Sequence, residues 1–194
     1  MVSLQKNQTV SLSKTSASAL SVINIGLGWD PIKKSGFFAA LRGGGGSIDL
    51  DASCVLLDAQ GQVTDQIWFR QLTSKCGSVV HQGDNLTGEG DGDDEVINVD
   101  LTRLPAAVEY IAITVNSFRG QSFNDVDNAF CRVVNNGREE LVNYKLAEQG
   151  SHTGILIASL SRQGGEWVFK AHGKACRGRT VEDMLPEIKE EVLR

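Results

Sequence analysis

Apolar and polar residues alternate with a period of two along most of the chain. The clearest runs are residues 10–13, 22–27, 96–101 and 111–115. Because successive side chains of a strand point to opposite faces of its sheet, this alternation predicts half-buried β-strands. Seven further segments have strand-like patterns, at residues 48–57, 63–70, 78–81, 129–134, 140–144, 153–160 and 166–171. The pattern therefore predicts an all-β protein of about ten or eleven short strands.

Turn-forming residues separate these segments. Residues 58–61 (Asp-Ala-Gln-Gly), 135–137 (Asn-Asn-Gly) and 163–165 (Gln-Gly-Gly) each lie between two predicted strands. Such sequences favour tight hairpin turns, because glycine and asparagine tolerate positive φ angles. Short strands joined in this way are typical of an antiparallel sandwich or barrel. The glycine-rich residues 42–47 are predicted to form a flexible excursion between two strands.

The C-terminal residues change to helical periodicity. Thr180 can cap a helix, with Asp183 at the reciprocal position of a capping box. The apolar residues at helical spacing are Val181, Met184, Leu185, Ile188 and Val192. Pro186 interrupts the pattern, so we expect a kinked or two-piece amphipathic helix. It is expected to pack on the β-domain, with a partner-facing helix as the alternative. We expect a domain at residues 1–178 and a helical extension at residues 179–194.

Composition and charge exclude several classes of protein. The 194 residues, 41% hydrophobic and 22% charged, suit one globular domain and argue against disorder. No apolar run is long enough for a membrane-spanning helix, and the N-terminal residues lack the apolar core of a secretory signal. The net charge of −5, without a basic block, argues against nucleic-acid binding. We expect a cytoplasmic protein.

The negative charge is concentrated at residues 84–95. This window holds six acidic residues and no basic one, whereas the other 182 residues hold 19 basic against 18 acidic residues. Glycines alternate with the acids, and no histidine or cysteine lies in the window. Flexible backbone rich in carboxylates suits Ca²⁺, which takes six to eight oxygens, and disfavours Zn²⁺. Leu86 and Glu89 occupy positions where an EF-hand needs a ligand and a glycine, so this is not an EF-hand. A solvated acidic loop is the alternative.

Three other acids are candidates for the same chemistry. Strand periodicity places Asp49 and Asp51 on one face, about 7 Å apart, where a shared cation would relieve their repulsion. Asp30 lies at the end of a predicted strand and could join them. The alternatives are outward, solvated carboxylates for the pair and a helix-capping role for Asp30.

The cysteines and histidines indicate no motif of known chemistry. Cys54 and Cys131 lie among apolar strand residues and are expected to be buried. Cys76 and Cys176 lie in polar surroundings and are better candidates for reactive thiols. His81, His152 and His172 are dispersed, without a zinc-protease or hydrolase motif. A catalytic triad assembled in space remains an open alternative.

Five segments resemble the TerD family of tellurium-resistance and stress-response proteins, and most of all its TerZ-type members. They are GLGWDP (26–31), DLDAS (49–53), SVVHQGDNLTGEGDGDDE (78–95), FNDVDNAF (123–130) and GGEWVF (164–169). The resemblance implies a two-sheet antiparallel β-sandwich with long acidic calcium-binding loops, two bound Ca²⁺ ions and no catalytic activity. The implied ligands are Asp30, Asp49, Asp51, Asp84, Asn85, Gly88, Glu89, Gly90, Asp91, Asp93, Asp94 and Glu95.

The resemblance thus predicts a non-enzymatic calcium-binding scaffold or sensor of the bacterial tellurite-resistance and stress response. Its expected partners are other Ter-family proteins, with a membrane-associated complex as one setting. Two alternatives remain open. One is a thiol-based metalloid-handling or redox protein that uses Cys76 or Cys176, and the other is a module that binds a small anionic ligand through Ca²⁺.

Overall fold

The alternating pattern folds into two facing β-sheets. The computed structural model describes residues 1–32, 48–83 and 92–194. The first sheet, sheet A, has the spatial order β1 (Val2–Leu4), β10 (Glu139–Lys145), β9 (Val126–Asn135), β3 (Val22–Pro31), β7 (Glu95–Asp100) and β6 (Val79–His81). The second sheet, sheet B, has the order β2 (Thr9–Ser11), β12 (Glu166–Cys176), β11 (Gly154–Gln163), β8 (Tyr110–Asn116), β4 (Asp51–Leu57) and β5 (Val63–Ile67).

Neighbouring strands pair antiparallel throughout both sheets, except that β1 pairs parallel with β10. The prediction of an all-β antiparallel sandwich is therefore confirmed. Asn136 and Gly137 have φ angles of 52° and 64°, and Gly164 and Gly165 have 57° and 83°. Gly61 has a φ angle of 73°, so all three predicted hairpin turns use the positive φ angles that asparagine and glycine allow.

The main core lies between the sheets. In β3, Ile23, Ile25 and Leu27 are completely buried against the facing sheet, as alternation predicts. In β4 all seven residues are buried, because both faces of this strand are covered. Cys54 and Leu56 belong to the core between the sheets, whereas Val55 and Leu57 belong to a second apolar cluster on the outer face of sheet B.

The C-terminal helix covers that outer face. The helix α2 (Val181–Val192) begins with the predicted capping box of Thr180 and Asp183. Its buried residues are Val181, Met184, Ile188 and Val192. The prediction of two helical pieces is wrong, since α2 continues through Pro186. The interruption is tolerated because Glu182, whose carbonyl loses its partner four residues on, is exposed to water.

Other predicted elements need correction. Leu12 was expected in a strand, but Ser11 caps the single-turn helix α1 (Leu12–Thr15) by accepting a hydrogen bond from the Lys14 amide. The strand predicted at residues 63–70 ends at Ile67. A 3₁₀ turn spans Phe123–Asp125. The predicted glycine-rich excursion at residues 42–47 lies outside the described residues. Among the residues that are described, none of the helices has the length and apolarity to span a bilayer.

Candidate functional site

The predicted cation ligands that the structure describes lie at one end of the sandwich, where β3 ends and β4, β7 and β9 begin. Leu27 of β3 pairs with Glu95 of β7, and Asp30 pairs with Asp127 of β9. Six of the twelve predicted ligands lie in the described chain, namely Asp30, Asp49, Asp51, Asp93, Asp94 and Glu95. The other six lie outside it, namely Asp84, Asn85, Gly88, Glu89, Gly90 and Asp91.

Residues 92–94 cross the outer face of β3. The amide of Asp94 donates to the Leu27 carbonyl at 2.8 Å. A side chain at Gly26 would overlap the carboxylate of Asp93, and one at Gly28 would lie 2.8 Å from the Gly92 carbonyl oxygen. The two glycines of the GLGWDP motif therefore provide the space in which the acidic segment packs on the sheet.

The carboxylate of Asp93 is fixed by an arginine on the neighbouring strand. Arg132 of β9 donates from Nε to Asp93 Oδ1 at 2.7 Å and from its second terminal nitrogen to Oδ2 at 2.9 Å. This geometry is the bidentate pairing that suits a guanidinium and a carboxylate. The same guanidinium lies 3.5 Å from Glu140. Asp93 thus has a structural partner of its own, and we interpret it as an anchor of the acidic segment.

Asp94 and Asp30 form a crowded acidic pair beside Trp29. Asp94 Oδ2 accepts the Trp29 amide at 2.7 Å, and Asp30 Oδ2 accepts the side-chain amide of Asn128 at 2.9 Å. Partial burial, together with the charges of Asp30 and Asp93, raises the pKa of Asp94, although the Trp29 hydrogen bond opposes this shift. Asn128 has a φ of 50°, so its backbone turns and its side chain holds Asp30.

Asp49 and Asp51 are both buried, each 7% exposed, so the alternative of solvated outward acids is wrong. Arg119 Nε lies 2.8 Å from Asp49 Oδ2, and the Asp49 amide donates to Gln121 Oε1 at 3.0 Å. The second oxygen, Asp49 Oδ1, is buried and accepts no hydrogen bond from the described chain. A buried carboxylate oxygen without a donor is costly unless a cation or water completes it.

Glu95 joins the two sheets at the base of the acidic segment. Its Oε2 accepts the Ala52 amide of β4 at 2.8 Å and lies 3.1 Å from His81 Nε2. The Gly83 amide donates to His81 Nδ1 at 3.2 Å, so Nε2 carries the proton that faces Glu95. Glu95 is only 2% exposed. We therefore interpret His81 and Glu95 as a clamp that holds β6 against the start of β7 and, through Ala52, ties β7 to β4.

The acids that the structure describes do not form a complete metal centre. Within residues 1–32, 48–83 and 92–194, no group of three or more histidines, cysteines, aspartates and glutamates is arranged to hold a metal ion. The donors that do converge are oxygens, and oxygens suit a hard cation such as Ca²⁺. The chemistry of Asp30, Asp94 and Asp49 suits such an ion, but these three carboxylates are not grouped around one position and do not by themselves form its site.

Comparisons with known proteins agree with the sequence motifs and the sandwich. The profile of the TerD domain matches residues 1–186. The chain is 68% identical over 194 residues to tellurium resistance protein TerZ of Serratia marcescens, with all of both chains covered. This chain belongs to the TerD family.

A more distant relative supports the same assignment, and a solved structure shares the fold. The chain is 42% identical over 195 residues to stress response protein SCP2 of Bacillus subtilis (strain 168), covering 95% of this chain and 97% of the relative. A crystal structure of a homologue of telluride resistance protein (TerD) from Streptomyces coelicolor A3(2) superposes with a TM-score of 0.67 at 22% identity. That comparison covers 84% of this chain and 95% of the other, and it supports the TerD fold.

Three of the four thiols of this TerD-family chain are buried, whereas the sequence predicts two. Cys54 and Cys131 are buried as expected, but Cys176 is also buried, because β12 extends to it and α2 covers it. Burial raises the pKa of the Cys176 thiol to about 12. Cys76 is half-buried, and its Sγ lies 2.8 Å from Ser78 Oγ and 3.3 Å from Ser74 Oγ.

A serine, histidine and glutamate do line up in space, as the sequence had left open. His172 Nε2 lies 2.8 Å from Ser159 Oγ, and Nδ1 lies 3.3 Å from Glu191 Oε1. This order of groups resembles a hydrolase triad. However, Ser159 is 4% exposed and His172 is 1% exposed, and Glu191 belongs to α2 above them. We interpret the row as a polar connection between helix and sheet, because its hydroxyl is closed to a substrate.

Several residues of the site escaped sequence reasoning. Arg119, Arg132 and His81 each contact an acid that is distant along the chain, by 70, 39 and 14 positions respectively. Their partners were identified as candidates, but the pairing depends on tertiary contacts. The available signal was weak, since Arg132 follows the FNDVDNAF motif by two positions and His81 lies inside the long acidic motif.

Proposed function

We propose that this chain is a non-enzymatic calcium-binding protein of the bacterial tellurite-resistance and stress response, acting as a scaffold or sensor whose loops two Ca²⁺ ions order. One observation carries the proposal. Asp30, Asp93 and Asp94 crowd together at one end of the sandwich. Burial of Asp94, together with the charges of Asp30 and Asp93, raises the pKa of Asp94. A divalent cation would relieve this repulsion. The resistance role is supported by the name of the similar Serratia protein.

The described residues suggest where the ions would be held. Asp30 and Asp94 would contribute carboxylate oxygens beside β3, and Asp49, with its buried Oδ1, would contribute on the opposite sheet. Asp93 and Glu95 would act by position, through Arg132 and through Ala52 and His81. Ca²⁺ accepts such flexible oxygen sets, whereas Mg²⁺ demands strict octahedral geometry and dehydrates reluctantly.

A cation that joins acids from both sheets would order the loops at that end of the sandwich. The consequence of binding would be a surface that exists only in the loaded protein, which is what a scaffold or sensor needs. Other Ter-family proteins are the proposed partners of that surface. Catalysis is not part of the proposal.

Calcium titration by calorimetry, combined with thermal unfolding, tests the proposal. Ca²⁺ at a hundredfold excess over Kd should add about 2.7 kcal/mol per site to the free energy of unfolding, and a chelator should remove this gain. Mg²⁺ should add much less. Asp94→Asn should weaken the binding, whereas Glu182→Gln, which removes an exposed charge from α2, should not. Heats of zero and identical melting curves with and without chelator would refute the proposal.

The thiol mechanism is retained as a second candidate because of Cys76. Partial burial opposes ionisation, but hydrogen bonds with Ser74 and Ser78 outweigh it and lower the pKa of this thiol. Replacement of all four cysteines by serine or alanine discriminates the two candidates. If tellurite resistance survives in cells that carry the cysteine-free protein, the thiol mechanism is excluded.

A further inference from the structure

A cavity of about 570 Å³ lies beside the acidic end of the sandwich, on the outer face of sheet A. Trp29 and Asp30 of β3, Phe130 and Arg132 of β9, Lys145 of β10 and Gly92 line it. The registers place Lys145 opposite Phe130, so the cavity lies across β9 and β10, and Gly92 lines one wall of it. A volume of this size is in the range of pockets that hold small molecules, about 300–1,000 Å³.

Negative and positive side chains lie at different sides of this cavity. Asp30 and Asp127, which are register partners on β3 and β9, lie at the side of the acidic segment. Lys145 lies at the other side and makes no ion pair with any described residue. Arg132 also faces the cavity, but its charge is satisfied by Asp93. The amine of Lys145 is therefore a positive group at the cavity that lacks an ion-pair partner within residues 1–32, 48–83 and 92–194.

The remaining lining suits a ligand that is both polar and apolar. Phe130, Ala129 and Leu146 contribute an apolar surface. Trp29 is 4% exposed and belongs to the core between the sheets. The lining thus offers a positive charge next to the aromatic ring of Phe130.

From these observations we infer that the cavity binds a small oxyanion, a phosphate or carboxylate carried on a ring-sized apolar group. The anionic group lies against Lys145, and the apolar group packs on Phe130. The acids Asp30 and Asp127 repel an anion, so the site is complete only when a cation neutralises that wall. The inference therefore rests on the proposed calcium binding, and it names the ligand class that the loaded protein accepts.

Nuclear magnetic resonance with defined probes tests the inference. ¹⁵N-labelled full-length protein, saturated with Ca²⁺, is titrated with AMP, with benzoate and with adenosine, which has the ring but no oxyanion. AMP carries a phosphate and benzoate carries a carboxylate, so the two probes show which anionic group the cavity binds. We expect AMP, benzoate or both to shift amide signals of residues 127–132 and 143–146, and adenosine to shift them at least about tenfold more weakly, as expected when a charged hydrogen bond is lost. Adenosine that binds as tightly as AMP overturns the inference.

Matched lysine variants decide whether the cavity is responsible. Lys145→Gln should weaken the binding of the active probe about tenfold. Lys174→Gln, which removes an exposed lysine from β12 of the other sheet, should leave it unchanged. Binding that ignores Lys145→Gln, or no shifts with either anion, overturns the inference.

Calorimetric titration with Ca²⁺ distinguishes failure of the anion site from failure of the proposed function. Calorimetric heat for Ca²⁺ without any probe-dependent shift overturns the anion site and leaves the proposed function in place. Absence of the calcium heat in the wild-type chain overturns the proposed function. The inference additionally predicts that a chelator lowers the affinity for the active anion at least about tenfold, because the acidic wall regains its charge. Equal affinity with and without chelator overturns it.

Discussion

The guanidinium of Arg119 lies 2.8 Å from the buried carboxylate of Asp49. Arg119 belongs to the loop after β8, and Gln121 of the same loop accepts the Asp49 amide. The side chain of Arg119 is 58% exposed, whereas that of Asp49 is 10% exposed. An exposed side-chain cation therefore covers one oxygen of a carboxylate that the resemblance implies as a Ca²⁺ ligand. The protein cation and the metal ion would compete for this group.

Removal of Arg119 should therefore strengthen calcium binding. We expect Arg119→Gln to raise the Ca²⁺ affinity about two- to fivefold, since an exposed ion pair contributes about 0.2–1 kcal/mol. Calorimetric titration of wild type and variant measures the change. Arg138→Gln, which removes an exposed arginine from the hairpin between β9 and β10, controls for the general loss of positive charge. If both variants bind Ca²⁺ equally, Arg119 does not compete at Asp49.

The sequence was sufficient for the strands because alternation reports directly which face of a sheet is buried. It failed where local and tertiary signals differ. Leu12 continues an alternating pattern, yet the hydroxyl of Ser11 satisfies the Lys14 amide and one helical turn forms. The strand β1 has only three residues, and its pairing with β10 joins segments that are about 140 positions apart. Nothing local distinguishes such a strand from coil.

The candidate site was predictable in composition and not in arrangement. Asp30 and Asp94 could be named because acids, glycines and strand ends are visible in the sequence. The roles of Asp93 and Glu95 could not, because they depend on Arg132, on His81 and on the Ala52 amide. Tertiary contacts bring these partners near, within sheet A for Arg132 and His81 and across the two sheets for Ala52.

The GLGWDP motif makes a prediction about packing. Gly26→Ala should destabilise the protein by about 1–3 kcal/mol, because the added methyl overlaps the Asp93 carboxylate. It should also weaken Ca²⁺ binding, since residues 92–94 would be displaced from β3. Chemical denaturation in the presence of chelator measures the change in the free energy of unfolding without any contribution from Ca²⁺ binding.

A second-site variant provides the control for this prediction. Asp93→Ala removes the group with which the new methyl collides, so the double variant should lose less stability than the sum of the two single variants. A double-mutant cycle measures this coupling. Strict additivity would show that Gly26 is required for some reason other than contact with Asp93.

The hydrogen-bonded residues Ser159, His172 and Glu191 beneath α2 predict how stability depends on pH. Burial and the charge of Lys170 lower the pKa of His172 from 6.5 to about 4, although Glu191 opposes the shift. The unfolded chain therefore binds more protons than the folded one between these pH values. His172 contributes stability that is fully present above pH 6.5 and is lost as the pH falls toward 4, about 3 kcal/mol in total.

His172→Gln should remove this contribution, so its free energy of unfolding should fall less steeply from pH 6.5 to 4 than that of the wild type. Denaturation in chelator at several pH values measures both slopes, and carboxylates common to both proteins cancel. His152→Gln should flatten the curve in the same direction, because burial also lowers the pKa of His152. Parallel curves for wild type and His172→Gln would contradict the assignment.

The four thiols should react at two very different rates. Burial raises the pKa of Cys54 above its usual range and that of Cys131 and Cys176 to about 12, so these sulfurs are both protonated and covered at neutral pH. Cys76 is half-buried, and hydrogen bonds from hydroxyls lower its pKa. Because the thiolate is the nucleophile, iodoacetamide should alkylate one cysteine rapidly in the folded protein.

Intact-mass spectrometry over time should show a single fast addition that Cys76→Ser abolishes and Cys176→Ser leaves intact. A fast addition that persists in Cys76→Ser would mean that β12 and α2 open often enough to expose Cys176, and that the second apolar cluster is less stable than its packing indicates.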